Sequence, residues 1–140
     1  KIINSFLESR YQRAVINGQS SNWENDNAGV PQGSILGSLL LLIYTNDISV
    51  DLKCKVNMFA DDTCLFSTCN DSLTSANDLN SDLSKIQQWV HQWKMSFNPD
   101  ISKRAMELVF SRKRENVHHP NLYCNGSIVN KILVMKNLGV

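Results

Sequence analysis

The 140-residue sequence has no long apolar run. Its longest, Leu39 to Tyr44, is six residues, far short of the ~20 that a membrane-spanning helix needs. No basic stretch followed by an apolar one opens the chain, so nothing supports secretion. Internal repeats and low-complexity segments are absent, and six glycines and three prolines leave nothing that resembles a flexible linker. Four cysteines are too few for a disulfide scaffold. Cys54, Cys64, Cys69 and Cys124 form no CxxC and read as free thiols in a reducing compartment. Charge of one sign is also lacking. Fourteen Lys and Arg against 13 Asp and Glu leave a net +1, which argues against a simple basic nucleic-acid-coating protein. What remains is a chain 42% hydrophobic, long enough to bury a core as one domain. It starts at Lys1 rather than Met and stops at Val140 inside an apolar run, and is therefore expected to be a piece of a longer protein.

Lys1 to Arg10 carries Ile2, Ile3, Phe6 and Leu7 at the spacing of an amphipathic helix end. Tyr11 to Ile16 reads as a strand, and Asn17-Gly18 as a two-residue hairpin turn. The return strand, near Ser20 to Ala28, is polar and suits an edge. A loop, Gly29-Val30-Pro31-Gln32-Gly33, precedes Ser34, whose hydroxyl can cap the next helix. Ile35 to Ile48 is apolar on nearly all faces, as in a helix buried in a core. Gly37 within it costs roughly 1 kcal/mol against Ala and marks close packing against backbone or ligand. Cys54 to Ala60 and Thr63 to Thr68 read as strands with Asp61 and Asp62 at the tip between them. Asp71 or Ser72 then caps a long helix with Leu73, Ala76, Leu79, Leu83, Ile86, Val90 and Trp93 on one stripe, which Pro99 keeps from running further. A strand over Glu107 to Phe110 and a hairpin about Asn125-Gly126 complete the chain. The pattern predicts an α+β fold with an antiparallel sheet.

The Asp61-Asp62 pair is the most informative local feature. At ~4 Å and an effective dielectric of ~20, two like charges cost roughly 4 kcal/mol. Met58, Phe59 and Ala60 before them and Leu65 and Phe66 after them provide water-excluding surface. A divalent cation offsets both costs, and hard ions such as magnesium take carboxylate oxygens while keeping waters for a phosphate-bearing substrate. The alternative is a plain type I turn, in which Asp is simply a good turn residue. The Gly29–Ser34 loop has two readings as well: a tight turn, or a cradle of backbone amides and the Gln32 side chain at a helix N-terminus that favours phosphate. Lys103, Arg104, Arg112, Lys113 and Arg114 are either a solvated face or phosphate contacts. Trp89 and Trp93 read as core, and His118-His119 lacks a ligand at zinc spacing. Asp78, Asn80 and Asp82 imitate a calcium loop, but Leu83 and Trp89 stand where Gly and Glu are required.

Three ordered stretches resemble one family closely. They are Ala28-Gly29-Val30-Pro31-Gln32-Gly33-Ser34-Ile35-Leu36-Gly37, Ile43-Tyr44-Thr45-Asn46-Asp47-Ile48 and Phe59-Ala60-Asp61-Asp62-Thr63. They look like the palm of reverse transcriptases from non-LTR, LINE-type and Jockey-like retrotransposons. Trp93 to Asp100 with Ser102-Lys103 looks like the next motif, and Leu138-Gly139-Val140 like the start of the primer grip. The resemblance implies that residues 1–140 are a partial antiparallel-sheet polymerase palm with packed helices, ending at the primer-grip motif. Asp61 and Asp62 would be catalytic metal ligands, Asp61 the more direct. Phe59 and Ala60 would lie near the primer end, and Pro31, Gln32, Gly33 and Ser34 would border the incoming nucleotide and template. Lys103 would sit near the triphosphate and protonate the leaving pyrophosphate.

The implied reaction is RNA-directed DNA synthesis, in which two Mg2+ ions (Mn2+ as the alternative) help a primer 3′-hydroxyl attack a deoxynucleoside triphosphate. The implied partners are an RNA template, a DNA primer and deoxynucleoside triphosphates, with no membrane. The implied location is the nucleus and cytoplasm, as a ribonucleoprotein. A further metal-binding Asp is expected on a strand before Lys1, with fingers and most of the thumb also outside the chain, so these residues alone are expected not to polymerise. Ser38, Leu42 and Asn137 depart from the usual Pro, Phe and aromatic or His. The competing readings are a non-catalytic retrotransposon remnant, a nucleic-acid-binding module, and a domesticated or maturase-type enzyme.

Overall fold

A computed structural model describes residues 1–60, 62–68, 70–98, 100, 105–112 and 118–133. The chain forms two compact units, Lys1–Thr45 and Asn46–Val140. It mixes helices with small sheets, as the α+β pattern predicts. Its described strands pair two by two, and not all are antiparallel.

In the first unit, α1 (Ile2–Leu7) leads into β1 (Tyr11–Gln12), β2 (Val15–Ile16), β3 (Gln19–Ser20) and β4 (Glu24–Asn25). The strand expected over Tyr11 to Ile16 is therefore split. β1 pairs antiparallel with β4, Tyr11 opposite Asn25, and β2 with β3, Val15 opposite Ser20. The two registers differ by one residue. An extra residue on the return strand therefore breaks the ladder, as in a β-bulge. Asn17 at φ 50° and Gly18 at φ 77° form the tight turn the dipeptide predicts. α2 (Ile35–Thr45) stops three residues before Ile48 and is not a buried helix. Only Gly37 and Thr45 are buried on it, while Ile35, Leu39, Leu42 and Ile43 are exposed. Uniform apolarity identified a helix that needs cover, and in the described residues those four side chains have none.

The second unit is built around α3 (Ser72–Gln92). Asp71 is its N-cap, with the carboxylate accepting from the Thr74 N–H at 2.8 Å. Its end is set by Lys94 at φ 55°. The Met95 N–H donates to the Val90 carbonyl at 2.9 Å and the Lys94 N–H to that of His91 at 3.2 Å. This is a Schellman closure, made here without glycine. The helix thus ends before Pro99 can stop it. β5 (Lys55–Phe59) and β6 (Asp62–Phe66) form an antiparallel hairpin with Lys55 opposite Phe66 and Phe59 opposite Asp62. β7 (Met106–Leu108) pairs in parallel with β10 (Asn130–Ile132), a departure from the expected antiparallel sheet. The hairpin of β8 (Tyr123–Cys124) and β9 (Ser127–Ile128) lies on the crossover between them, turning at Asn125 and Gly126 with φ 50° and 74°.

The core lies where this hairpin meets α3: Ala76, Leu122, Cys124 and Val129 are buried, with Leu79, Leu83, Phe97 and Ala105 packed around them. Asn80 fixes the contact by donating to the Asn121 carbonyl and accepting from the Tyr123 N–H at 2.9 Å. Trp89 and Trp93, expected in the core, are at its margin. Their ring centroids are 6.1 Å apart, Trp93 is 39% exposed, and Trp89 Nε1 donates to Asp47. His119 is buried and paired with buried Glu107, a carboxylate that sequence spacing did not bring near it.

One buried carboxylate ties α3 to the β5–β6 hairpin. Asp82 is fully buried and its Oδ2 accepts from the backbone N–H groups of Lys53 at 2.9 Å and Cys54 at 2.7 Å. Lys85 Nζ lies 3.7 Å from its Oδ1. Burial alone would raise its pKa. The two backbone donors, the Cys54 thiol and the Lys85 charge outweigh that, leaving the carboxyl below its ordinary value. The other leg of the hairpin is held by Ser75 Oγ donating to Ser67 Oγ at 3.0 Å. Cys54 responds oppositely: burial, then the neighbouring Asp82 carboxylate, push its thiol up to about 11.

Asp82→Ala orphans two backbone donors, each costing about 1–3 kcal/mol. The expected result in urea denaturation is a lower midpoint, with faster amide exchange at Lys53 and Cys54. Because the folded pKa lies below the unfolded one, the stabilisation from Asp82 is complete above about pH 3.9 and disappears as pH falls through the folded value. The stability gap between the native sequence and Asp82→Asn should therefore close on acidification. Cys54 should react with iodoacetamide at neutral pH much more slowly in the folded chain than in urea, as peptide mapping of the alkylated protein would read.

Candidate functional site

The sequence-predicted residues fall in two places, one in each unit. The first is the loop before α2. Gly29 and Gly33 have φ 68° and 77°, the left-handed region that glycine adopts without strain. Ser34 joins loop to helix: its Oγ donates to the Pro31 carbonyl at 2.8 Å and accepts from the Gly37 N–H at 3.0 Å. This is the expected cap. It leaves no room at Gly37, where a Cβ would lie 2.7 Å from Ser34 Oγ and 2.8 Å from the Pro31 carbonyl oxygen. The packing inferred for Gly37 is thus against backbone. Gln32 and Gly33 are exposed, while Pro31 and Ser34 are half-buried. The loop presents an amide side chain and free backbone beside a helix N-terminus.

The entry to this loop is held by Arg10, which the sequence reading passed over. Its Nη2 donates to the carbonyls of Ala28 at 2.9 Å and Gly29 at 3.0 Å, its Nε to that of Leu7, and Nη1 pairs with Asp26 at 3.2 Å. Guanidinium geometry lets one side chain gather several acceptors. No local pattern announces this role, because the carbonyls lie 18 and 19 residues away.

The second place is the tip of the β5–β6 hairpin. The strand begins at Asp62, not Thr63, and ends at Phe66. Asp62 is therefore a strand residue opposite Phe59, not part of a type I turn centred on both carboxylates. Ala60 has φ 52°, a conformation costing roughly 1–2 kcal/mol for a residue with a Cβ. Phe59 is 63% exposed and Asp62 is also exposed, so the expected water-excluding surround is absent on Phe59. Strand alternation puts Asp62 on the face of Asn57, Phe59, Cys64 and Phe66. Asp61 and Lys103 lie outside the described residues, as do Arg104, Lys113, Arg114 and Leu138 to Val140; Arg112 is exposed.

An exposed carboxylate on a tight hairpin offers hard oxygen of the kind that divalent cations take. Among the described residues, no three of His, Cys, Asp and Glu come together as a metal cage. The open end of the hairpin is held by Asp82 and Ser75 on α3, seven residues apart on one helix face. Asp82 carried a readable signal: it falls in phase with Ala76, Leu79, Leu83 and Ile86, so a charge sits within an apolar stripe.

Gly37→Ala should destabilise the first unit even though alanine is the better helix former by about 1 kcal/mol. The clash with Ser34 and Pro31 costs roughly 1–3 kcal/mol. Faster amide exchange over residues 35–40, measured against Ser38→Ala as the control, is the expected signature.

The family model for "Reverse transcriptase (RNA-dependent DNA polymerase)" matches residues 1–131. Among curated proteins, the chain is 25% identical over 147 residues to the RNA-directed DNA polymerase from mobile element jockey of Drosophila melanogaster, covering 99% of this chain and 16% of that protein. It is 28% identical to the probable RNA-directed DNA polymerase from transposon X-element of Drosophila melanogaster, covering 99% of this chain and 15% of that protein. It is 29% identical to the jockey polymerase of Drosophila funebris, covering all of this chain and 16% of that protein. The chain thus spans about a sixth of the length of the curated relatives it matches. No solved structure matches it. The matched motifs run through both the capped loop and the carboxylate hairpin, and the chain belongs to the reverse transcriptase family.

Proposed function

We propose that this chain is a palm segment of a non-LTR retrotransposon polymerase that copies RNA into DNA. The observation that carries the reading is the hairpin in which Asp62 pairs with Phe59, its open end anchored by α3. Asp61 and Asp62 would hold the metal, Asp61 more directly. Two Mg2+ ions, when bound, supply charge neutralisation at the attacking and leaving oxygens. Phe59 and Ala60 flank the primer end. Gln32 and Gly33, presented by the Ser34 cap and the Arg10 anchor, border the incoming nucleotide and template. Lys103 neutralises and protonates the leaving pyrophosphate. Such a site works by positioning and charge stabilisation. In the parent element, the RNA template, DNA primer and deoxynucleoside triphosphates are the partners, and the protein acts as a ribonucleoprotein in cytoplasm and nucleus.

The test is primer extension by the complete polymerase that contains this segment. Asp61→Ala should abolish synthesis, a loss of roughly a thousandfold or more for a metal ligand worth several kcal/mol. Gln32→Ala should raise the KM for nucleotide more than it lowers kcat. Synthesis at the native rate by Asp61→Ala would refute the metal assignment.

A further inference from the structure

The β1–β4 ladder carries an exposed face that the polymerase reading leaves without a role. Its register sets Tyr11 opposite Asn25 and Gln12 opposite Glu24, and Arg13 and Trp23 follow directly on it where the ladder breaks. The side chains meet there, with the Arg13 guanidinium carbon 4.7 Å from the centroid of the Trp23 ring. Strand alternation puts Tyr11 beside Arg13 on that face. Tyr11 is 62% and Trp23 61% exposed, so two large rings and one guanidinium are open to solvent.

The charges are sorted by the same alternation. Glu24 is opposite Gln12, and Asp26 is ion-paired to Arg10, so both carboxylates of the return strand belong to the other face. The Tyr11–Arg13–Trp23 face keeps a cation and loses its anions. Aromatic rings stack on bases of any sequence, and a guanidinium over a ring contributes both a stacking plane and a phosphate contact. A partner carrying acidic side chains would use the cation but not the rings, and an apolar protein surface the rings but not the cation. Single-stranded nucleic acid uses both.

We propose that Tyr11, Arg13 and Trp23 form a stacking platform for single-stranded RNA, separate from the residues assigned to the nucleotide and metal. In the polymerase reading, on which this assignment of RNA rests, the strand is the template.

The experiment is fluorescence-anisotropy titration of the full 140-residue chain with a short fluorescein-labelled oligouridine. Trp23→Ala should weaken binding by roughly tenfold, the value of one lost base stack. Trp23→Phe should keep most of the affinity, Arg13→Ala should weaken it and Arg13→Lys should weaken it less. Gln12→Ala, on the opposite face, should change nothing. Circular dichroism melts check that each variant is folded, and the Phe and Lys variants retain the local packing. No binding by the native chain, or equal binding by native and Trp23→Ala chains, overturns the platform and assigns the face to packing against protein. The polymerase reading is judged separately, by loss of synthesis with Asp61→Ala in the complete enzyme.

Discussion

The fully buried carboxylate of Asp82 sets where the β5–β6 hairpin stands on α3. Asp82 accepts two backbone N–H groups at the start of one hairpin while sitting on the helix that packs against another. A buried charge is tolerated only when its lone pairs are used. Here Oδ2 takes two backbone N–H groups of the segment that must be placed, and Oδ1 has the Lys85 charge 3.7 Å away. The ordinary apolar core, built from Ala76, Leu122, Cys124 and Val129, holds β8 and β9 to α3 but does not reach β5 and β6. Asp82 and the Ser67–Ser75 bond, with the Lys53–Asp78 ion pair beside them, tie that hairpin to the helix.

The two units solve the same problem differently. In the first, Arg10 uses three hydrogen bonds and one ion pair to gather Leu7, Ala28, Gly29 and Asp26, and Ser34 continues the fixation into α2. In the second, an acceptor gathers donors. Both anchors are charged groups facing backbone, and both stand one layer behind the motif they position. Substitutions there should disturb the site by moving it, with no loss of any group that could touch substrate.

The sequence was most readable where one residue dictates backbone geometry. Asn17-Gly18 and Asn125-Gly126 turn as their dipeptides require, Asp71 and Ser34 cap as their hydroxyl or carboxylate allows, and Gly37 sits where no side chain fits. It was less readable where the outcome depends on distant partners. The parallel pairing of β7 with β10, the Arg10 anchor and the Glu107–His119 pair are long-range, and no local periodicity encodes them. α2 failed for another reason: apolarity states that a helix seeks cover, not that the cover is present. The candidate site was legible as motifs. The clamps that orient it were legible only as an Asp out of place on an apolar stripe.

The clamp makes the hairpin and α3 one thermodynamic body. Any cation or strand that settles on the hairpin tip and favours the clamped arrangement must, by reciprocity, stiffen the helix that holds it. Trp89 and Trp93, at the far end of that helix, would then report occupancy of a site from which they are remote in sequence. Their paired rings would give this chain an intrinsic optical gauge of movement in the hairpin that the helix clamps.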